Sequence, residues 1–266
     1  MTAAPRPDPK RGVFETILIR DGHPVELEAH LNRLGESLEV LFGELTPSAA
    51  AQMALSRAHG IALGRLRLTV SPAPDGTLRA EVKVAEIAPA AIFPSPQAAI
   101  ALGSRVIEGG LGEHKWIDRR LLGAPVRSQP AEPLALILDT DGSVLEASRA
   151  NVFALRAGVL LTPKADGRLL PGIGRRRVIE IATEQGIEVR EESIGIAELV
   201  GAEEVFLSGS LRGVEQVAAI DQAALARGEV ISAQIAACLR RRWLAPGEAG
   251  GAPGPAAGPP HDRPVR

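Results

Sequence analysis

The stretch Glu113–Arg120, "EHKWIDRR", contains Lys115, one of only four lysines among the 30 basic residues of the chain. Because arginine serves almost everywhere else, a lysine here indicates a task that arginine cannot perform. An amine can lose its proton and form a Schiff base with an aldehyde, whereas a guanidinium stays protonated. Lys115 lies in the second of two regions that differ in the spacing of their apolar and polar residues, and this spacing predicts the fold.

The first region, residues 1–95, predicts a small α+β domain. Residues Val13–Arg20, "VFETILIR", are rich in strand formers, and "DGHP" after them predicts a turn. Leucines every three or four residues predict an amphipathic helix over Glu28–Phe42. The segments "GRLRLTVS" and "TLRAEVKVAEI" alternate between apolar and polar residues, as half-buried strands do. The proline-containing segment Ala88–Pro96 is predicted to be a linker.

The second region, residues 96–244, predicts a larger domain that mixes strands and helices. Tight turns join the strand-like segments "LALILD", "NVFALRAG" and "VLLTP". The segment "GIGRRRVIEIATEQG" predicts a helix closed by Gly186, and Ala223–Trp243 predicts a final helix. Residues 245–266 are rich in Pro, Gly and Ala and are predicted to be disordered. The predicted fold class is therefore α/β (α+β) with two domains and a tail.

Composition restricts the classes of function. The formal net charge of −2 gives no basic field for nucleic acid. The longest uncharged run, residues 87–104, contains three prolines that argue against a membrane helix, and residues 1–12 lack the apolar core of a signal peptide. The single Cys238 excludes an intramolecular disulfide, so we expect a cytoplasmic protein. The five histidines have no paired ligand spacing, and we expect no metal centre.

Three further features fit one cofactor. "LLPGIGRR" begins a helix near residues 173–174, where free backbone N–H groups attract an anion, although a glycine turn can also simply start a helix. The loop Phe206–Val214 carries two hydroxyls that either bind a phosphate or form a polar turn. Glu146 is either a functional acid or a solvated surface acid. Pyridoxal phosphate needs a lysine, an acid for its ring nitrogen and a helix N-terminus for its phosphate, and the sequence offers a candidate for each.

Seven motifs in order resemble the class IV aminotransferases, the fold-type IV group of pyridoxal phosphate enzymes. The resemblance covers roughly residues 13–221, and the motifs read "VFETILIRDG", "HLNRL", "HKWIDR", "LEASRANVF", "LLTPK", "LLPGIGR" and "VFLSGSLRGV". The group includes branched-chain aminotransferases, D-amino acid aminotransferases and 4-amino-4-deoxychorismate lyases. The resemblance implies a fold-type IV architecture with pyridoxal phosphate as the cofactor.

The resemblance also implies a role for each matched residue. Lys115 would form the Schiff base with the cofactor and then act as acid and base. Glu146 would pair with the pyridine nitrogen, and Asn151 would brace the loop behind that acid. The cofactor's phosphate would be bound by Arg33, by the backbone N–H groups of Ile173 and Gly174, and by the Ser210 hydroxyl.

Within the group, the sequence favours the lyases. "SLRGV" and "HKWIDR" resemble the lyase patterns, and branched-chain aminotransferases have a tyrosine five residues after the lysine, where this chain has Arg120. We therefore predict a 4-amino-4-deoxychorismate lyase that releases pyruvate and 4-aminobenzoate, a folate precursor. Because that substrate carries two carboxylates, Arg119 and Arg212 are predicted to bind it.

Two alternatives stay open, an aminotransferase for branched-chain or D-amino acids and a cofactor-binding paralogue without catalysis. The small domain begins without the strand and turn that the family has before "VFET". A short start of this kind resembles lyase domains fused behind aminodeoxychorismate synthase, so we expect a functional link to such a synthase. The resemblance also implies a homodimer that takes a small-molecule substrate.

Overall fold

The computed structural model describes residues 6–44, 49–123, 133–226 and 228–244, and its first sheet has four antiparallel strands. These are β1 (Val13–Arg20), β2 (His23–Pro24), β3 (Leu63–Pro72) and β4 (Leu78–Glu86), in the order β2-β1-β3-β4. Helices α1 (Leu27–Phe42) and α2 (Ala49–Ala58) pack on one face. The alternation in β3 explains this packing, because Leu66 and Leu68 are buried in that core while Arg65 and Arg67 lie on the opposite face.

The second sheet has nine strands and follows the first in sequence. The strands are β5 (Ile100–Val106), β6 (Leu134–Leu138), β7 (Val144–Ala147), β8 (Asn151–Arg156), β9 (Val159–Thr162), β10 (Val189–Glu191), β11 (Glu204–Gly209), β12 (Gly213–Ile220) and β13 (Ala223–Ala224). The order is β10-β9-β8-β11-β12-β5-β6-β7, with β13 paired to β12. Strand β5 runs parallel to both β12 and β6, which places the loop that follows β5 at one end of the sheet.

Helices α3 (Ile173–Glu184), α4 (Ile196–Val200) and α5 (Val230–Leu244) complete the described fold. Helices α3 and α5 cover the second sheet over Phe153 and Phe206, whose rings stack with centroids 5.2 Å apart. Leu18 of β1 is fully buried in the same core. The first sheet is thereby attached to the second through apolar packing, the main source of stabilisation for such a junction.

One predicted element is wrong at its start. The final helix was expected over Ala223–Trp243, but α5 begins at Val230. Asp221 and Gln222 both have positive φ, 46° and 71°, and form a tight turn that folds Ala223 and Ala224 back onto β12. Alanine favours a helix, so the turn at Asp221 and Gln222 overrides the local preference of this segment.

The two sheets occupy residues 13–86 and 100–224, on either side of the predicted domain boundary at 95/96. That each region is a domain of its own stays a prediction, because the core around Leu18 and Phe153 joins them. The predicted disordered tail, residues 245–266, lies outside the described residues. No helix among the described residues combines the length and apolar character needed to span a membrane.

Candidate active site

The backbone of Lys115 is held against the first sheet. The Phe14 N–H donates to the Lys115 carbonyl at 2.9 Å, and the Ile117 N–H donates to the Gly12 carbonyl at 3.1 Å. Between them, the buried Trp116 anchors the segment, and its indole N–H donates to the Leu111 carbonyl at 2.8 Å. Strand-like pairing with β1 therefore fixes where the Lys115 side chain enters a recess, which Glu146, Asn151, Gly174, Ser208 and Ser210 also line.

The Lys115 amine has a pKa well below its ordinary value. Desolvation is the largest cause and the positive charge of Arg33 adds to it, while Glu15 opposes the shift, and the pKa falls from 10.5 to about 8. A sizeable fraction of the amine is therefore neutral at slightly alkaline pH. This is the nucleophilic form that a Schiff base requires.

Glu146 lies in the same recess, at the end of β7, and is only 6% exposed. Burial raises its pKa to about 7, although the positive charges of Lys115 and Arg119 work against the shift. Among the described residues, no cationic side chain forms a salt bridge with it. Its burial excludes the alternative of a solvated surface acid, and the site suits a group that brings its own positive charge.

The start of α3 and the end of β11 form a cradle in the wall of this recess. Gly174 packs so closely on Gly209 that a Cβ atom on Gly174 would lie 3.1 Å from the Gly209 backbone nitrogen. The Ser208 hydroxyl is buried and has no hydrogen-bond partner among the described residues. Asn151 lies opposite Ser208 across β8 and β11, and its side-chain amide donates to the Leu170 carbonyl at 2.9 Å. Helix N-termini with glycine and hydroxyl neighbours are suited to phosphate.

Arg33 lies beside the start of α3, on the side that faces away from the recess. Its guanidinium donates to both carboxylate oxygens of Glu15, at 2.9 and 2.6 Å, and to the Pro171 carbonyl at 3.1 Å. His30 Nδ1 also binds Glu15, at 2.7 Å. Burial alone would raise the pKa of Glu15, but Arg33 and His30 outweigh it and lower the pKa to about 2. Arg33 is therefore fixed at the turn before α3, while the lining of the recess itself contains Lys115 and Glu146.

A cavity of about 620 Å³ adjoins the recess and shares Lys115, Arg119 and Ser210 with it. Arg119 donates to the Ser148 carbonyl at 3.0 Å, and burial lowers the pKa of its guanidinium. Arg212 also lines the cavity, with its guanidinium bound to Glu215 at 2.8 Å. Both predicted substrate arginines thus lie in the wall of one cavity.

The remaining predicted residues divide between the two sides of the α3 start. Ser210, Asn151 and Gly174 line the recess, whereas Ile173 is buried and lines a groove on the outer side together with Arg33. Among the described residues, no three His, Cys, Asp or Glu side chains are grouped to hold a metal ion.

A family model described as amino-transferase class IV matches residues 12–220. The chain belongs to the class IV aminotransferases. The resemblance and the α/β fold-type IV architecture predicted from the sequence are both confirmed.

Individual members of the family resemble this chain to different extents. Branched-chain-amino-acid aminotransferase 1 of Arabidopsis thaliana is 40% identical over 90 residues, which cover 34% of this chain and only 23% of that protein. The crystal structure of 4-amino-4-deoxychorismate lyase from Pseudomonas aeruginosa is 24% identical with a TM-score of 0.74, covering 91% of this chain and 95% of that one. The PLP-bound form of a hypothetical aminotransferase from Mycobacterium tuberculosis is 23% identical with a TM-score of 0.74, covering 92% and 94%. The two solved structures share the fold of this chain.

Class IV aminotransferases use pyridoxal phosphate, and the residues present here fit it. The recess offers an amine with a lowered pKa in Lys115 and a buried acid in Glu146. Beside the start of α3 it also contains the Ser208 hydroxyl, which no described residue binds through a hydrogen bond. Lys115 matches the aldehyde of the cofactor, Glu146 matches its ring nitrogen, and Ser208 with the start of α3 matches its phosphate.

Sequence reasoning missed Glu15 and His30, which hold Arg33 in place. A signal was present, because Glu15 is the one charged residue between the apolar residues of "VFETILI". On β1 it faces the same side as Val13 and Ile17, so burial without a cationic partner would be very unfavourable. His30 and Arg33 are three residues apart on α1 and supply the partners.

Proposed function

We propose that this class IV enzyme is a 4-amino-4-deoxychorismate lyase that converts its substrate to 4-aminobenzoate and pyruvate. The observation that carries the proposal is the arginine-rich cavity beside Lys115. It suits a substrate with carboxylates, which guanidinium groups bind through paired hydrogen bonds. The fold shared with the Pseudomonas aeruginosa lyase agrees with the proposal.

In this proposal, the chain's own residues divide the tasks of binding and proton transfer. The start of α3 with Ser208 and Ser210 binds the cofactor's phosphate, and Glu146 holds a proton on its ring nitrogen. When bound, the cofactor delocalises the negative charge that develops at the amine-bearing carbon. Arg119 binds a substrate carboxylate and orients the ring toward Lys115.

Lys115 is the acid and base of the proposed reaction. Its Nζ takes the proton from the amine-bearing carbon, and the C–O bond to the enolpyruvyl group breaks. The ring becomes aromatic as 4-aminobenzoate, and the proton is returned to the leaving enolpyruvate, which gives pyruvate. A pKa of about 8 suits an amine that must both accept and release a proton near neutral pH.

Pyruvate release tests this proposal. The holoenzyme is supplied with 4-amino-4-deoxychorismate in the absence of any 2-oxo acid, and pyruvate is followed with a coupled lactate dehydrogenase. We expect one pyruvate for each 4-aminobenzoate formed. A failure to release pyruvate would contradict the lyase.

A second candidate function is amino transfer. The identity over 90 residues with the Arabidopsis thaliana branched-chain aminotransferase favours it. Amino transfer needs a 2-oxo acid acceptor and would use the same Lys115 and Glu146. Turnover of branched-chain or D-amino acids that appears only after an acceptor is added would select this alternative over the lyase.

A further inference from the structure

The segment that connects β4 to β5 contains an aromatic residue with strained backbone geometry. Phe93 has a φ of 45°, in the left-handed region that aromatic residues rarely adopt. Pro94 follows it, and a residue before proline prefers an extended backbone. Such strain persists only where the surrounding contacts outweigh it. The contacts of Phe93 should therefore explain why this conformation is kept.

Both the backbone and the ring of Phe93 contact the turn between β11 and β12. The Phe93 N–H donates to the Arg212 carbonyl at 2.9 Å. The ring covers Gly213 so closely that a Cβ atom on Gly213 would overlap it. Gly213 has a φ of 68°, so glycine suits both the turn and the ring above it. The connecting segment is therefore fitted tightly to the turn.

Trp243 of α5 also contacts the Phe93 ring. The two ring centroids lie 5.8 Å apart at an interplanar angle of 55°, a favourable geometry for an aromatic pair. Trp243 is 4% exposed and belongs to the apolar core that α3 and α5 form over the second sheet, against which Phe93 packs. This core fixes the Phe93 ring, and Gly213 therefore packs against a fixed surface.

The turn that Phe93 contacts forms part of the cavity wall. Arg212 and Gly213 both line the cavity beside Lys115. The Arg212 carbonyl is bound by the Phe93 N–H, and the Arg212 guanidinium is bound by Glu215 at 2.8 Å. The backbone contact and the side-chain contact together decide where the guanidinium lies in the cavity.

The other end of the same turn is held independently of Phe93. Ser210 lines both the recess and the cavity. It follows Gly209, whose backbone packs on Gly174 at the start of α3. Loss of the Phe93 ring should therefore disturb the Arg212 end of the turn more than the phosphate cradle.

We propose that Phe93 is a positioning residue for substrate binding. Its ring holds the turn at Gly213 and thereby places Arg212 in the cavity wall. It acts on the binding of substrate and leaves proton transfer at Lys115 unchanged. The inference rests on the proposed function for the substrate that Arg212 binds, whereas the contact of Phe93 with the turn is independent of the reaction.

Steady-state kinetics of the holoenzyme test the role in binding. Phe93→Ala should raise KM for 4-amino-4-deoxychorismate about tenfold, change kcat less than about threefold and leave the dissociation constant of the cofactor within about twofold of wild type. Phe93→Leu keeps an apolar side chain against Gly213, so it should raise KM less. This variant keeps the test decisive if Phe93→Ala folds poorly.

Two further variants complete the kinetic test. Phe93→Gly adopts positive φ without strain but lacks the ring, so it should raise KM as much as Phe93→Ala does. Phe42→Leu is the matched control, because Phe42 is a partly buried phenylalanine of α1 outside the cavity lining. It should leave KM, kcat and cofactor affinity unchanged.

Hydrogen exchange tests the contact itself without turnover. In Phe93→Ala, the amides of residues 209–214 should exchange about tenfold faster than in wild type, while those of β3 should keep the wild-type rate. Gly213→Ala gives the reciprocal test, because its new Cβ atom displaces the ring. It should lower Tm more in wild type than in Phe93→Ala, where no ring is left to displace.

The inference fails if Phe93→Ala keeps the wild-type KM or the wild-type exchange of the turn. It also fails if KM, kcat and cofactor affinity all worsen together, or if the turn and β3 exchange faster by the same factor, since general destabilisation explains both results. Failure of the proposed function looks different. A wild-type holoenzyme that releases no pyruvate removes the lyase, and the KM comparison is then made with the amino acid of the amino-transfer assay.

Discussion

At the residue level, Lys115 is expected to need a deprotonatable amine rather than a positive charge. Lys115→Ala should abolish both the visible absorbance of the lysine-bound cofactor and turnover. Lys115→Arg should fail equally, because a guanidinium stays protonated near neutral pH. The control Lys164→Arg changes an exposed lysine and should keep both signals. Normal turnover in Lys115→Arg would contradict the Schiff-base role.

Glu146→Gln should stabilise the apoprotein above pH 7 but lower the turnover of the holoenzyme. The folded pKa of Glu146 is raised from 4.5 to about 7, so its contribution to stability is full below pH 4.5 and is lost as the pH rises through 7. A neutral glutamine avoids the buried charge, so the variant apoprotein should melt higher than wild type above pH 7. Turnover should fall, because an amide cannot keep the ring nitrogen protonated, which raises the barrier by about 2–4 kcal/mol.

Melting curves between pH 5 and 9 and steady-state rates check the Glu146 prediction. Glu108→Gln, at an exposed acid, is the control and should change neither quantity. Wild-type rates in Glu146→Gln would show that this acid has no part in the reaction.

The sequence predicts single residues best where chemistry leaves few options. Lys115 was singled out because arginine cannot form a Schiff base, and Glu146 was assigned to the ring nitrogen through the family resemblance; both assignments stay predictions. Glu15 could not be assigned in the same way, since its function depends on partners on α1 and on a turn more than 150 residues away. Arg212 was chosen for its charge, but the sequence does not show that Glu215 already binds it.

At the level of elements, the pair of Glu15 and Arg33 connects β1, α1 and the turn before α3. Glu15→Gln leaves Arg33 buried without its counter-charge and should lower the free energy of unfolding by about 3 kcal/mol at neutral pH. It should also weaken cofactor binding, because Arg33 holds the turn at Pro171. Urea unfolding and cofactor titration measure the two effects.

The pH dependence separates this pair from a general loss of packing. The folded pKa of Glu15, about 2, is below its ordinary 4.5, so its contribution to stability is full above pH 4.5 and is lost as the pH falls through 2. The difference between wild type and Glu15→Gln should therefore shrink below pH 4.5. Glu28→Gln, at an exposed acid of α1, should show no such difference, and a pH-independent gap in Glu15→Gln would contradict the ion-pair explanation.

Periodic elements are predictable from sequence and aperiodic ones are not. Helix α1 and strand β3 follow leucine spacing and alternation, and both form as predicted. The start of α5 was missed because Asp221 and Gln222 adopt positive φ, which neither residue type demands. Strand β5 was missed because its segment "IALGSRV" directly follows a proline-containing stretch and lacks strict alternation.

At the level of the whole molecule, the cavity beside Lys115 depends on the packing of the two sheets. Phe14 and Arg67 come from the first sheet, Glu215 comes from β12 of the second sheet, and Arg212 lies in the turn between β11 and β12. The apolar core that contains Leu18 sets the distance between them. Such packing joins residues far apart in sequence, and local patterns do not predict it.

Assembly is the last expectation at this scale, and we predict a homodimer. The family resemblance implies one, and the described surface exposes large apolar side chains, among them Val106 at 62% and Val230 at 75%. A stable dimer buries on the order of 2,000 Å² or more, and an open cavity at the junction of two sheets would gain protection from solvent if the interface lies near it. Light scattering of the holoenzyme at micromolar concentration should give twice the chain mass of 27.9 kDa. A monomer with full cofactor occupancy and turnover would contradict the prediction, and it would show that the cavity is complete within one chain.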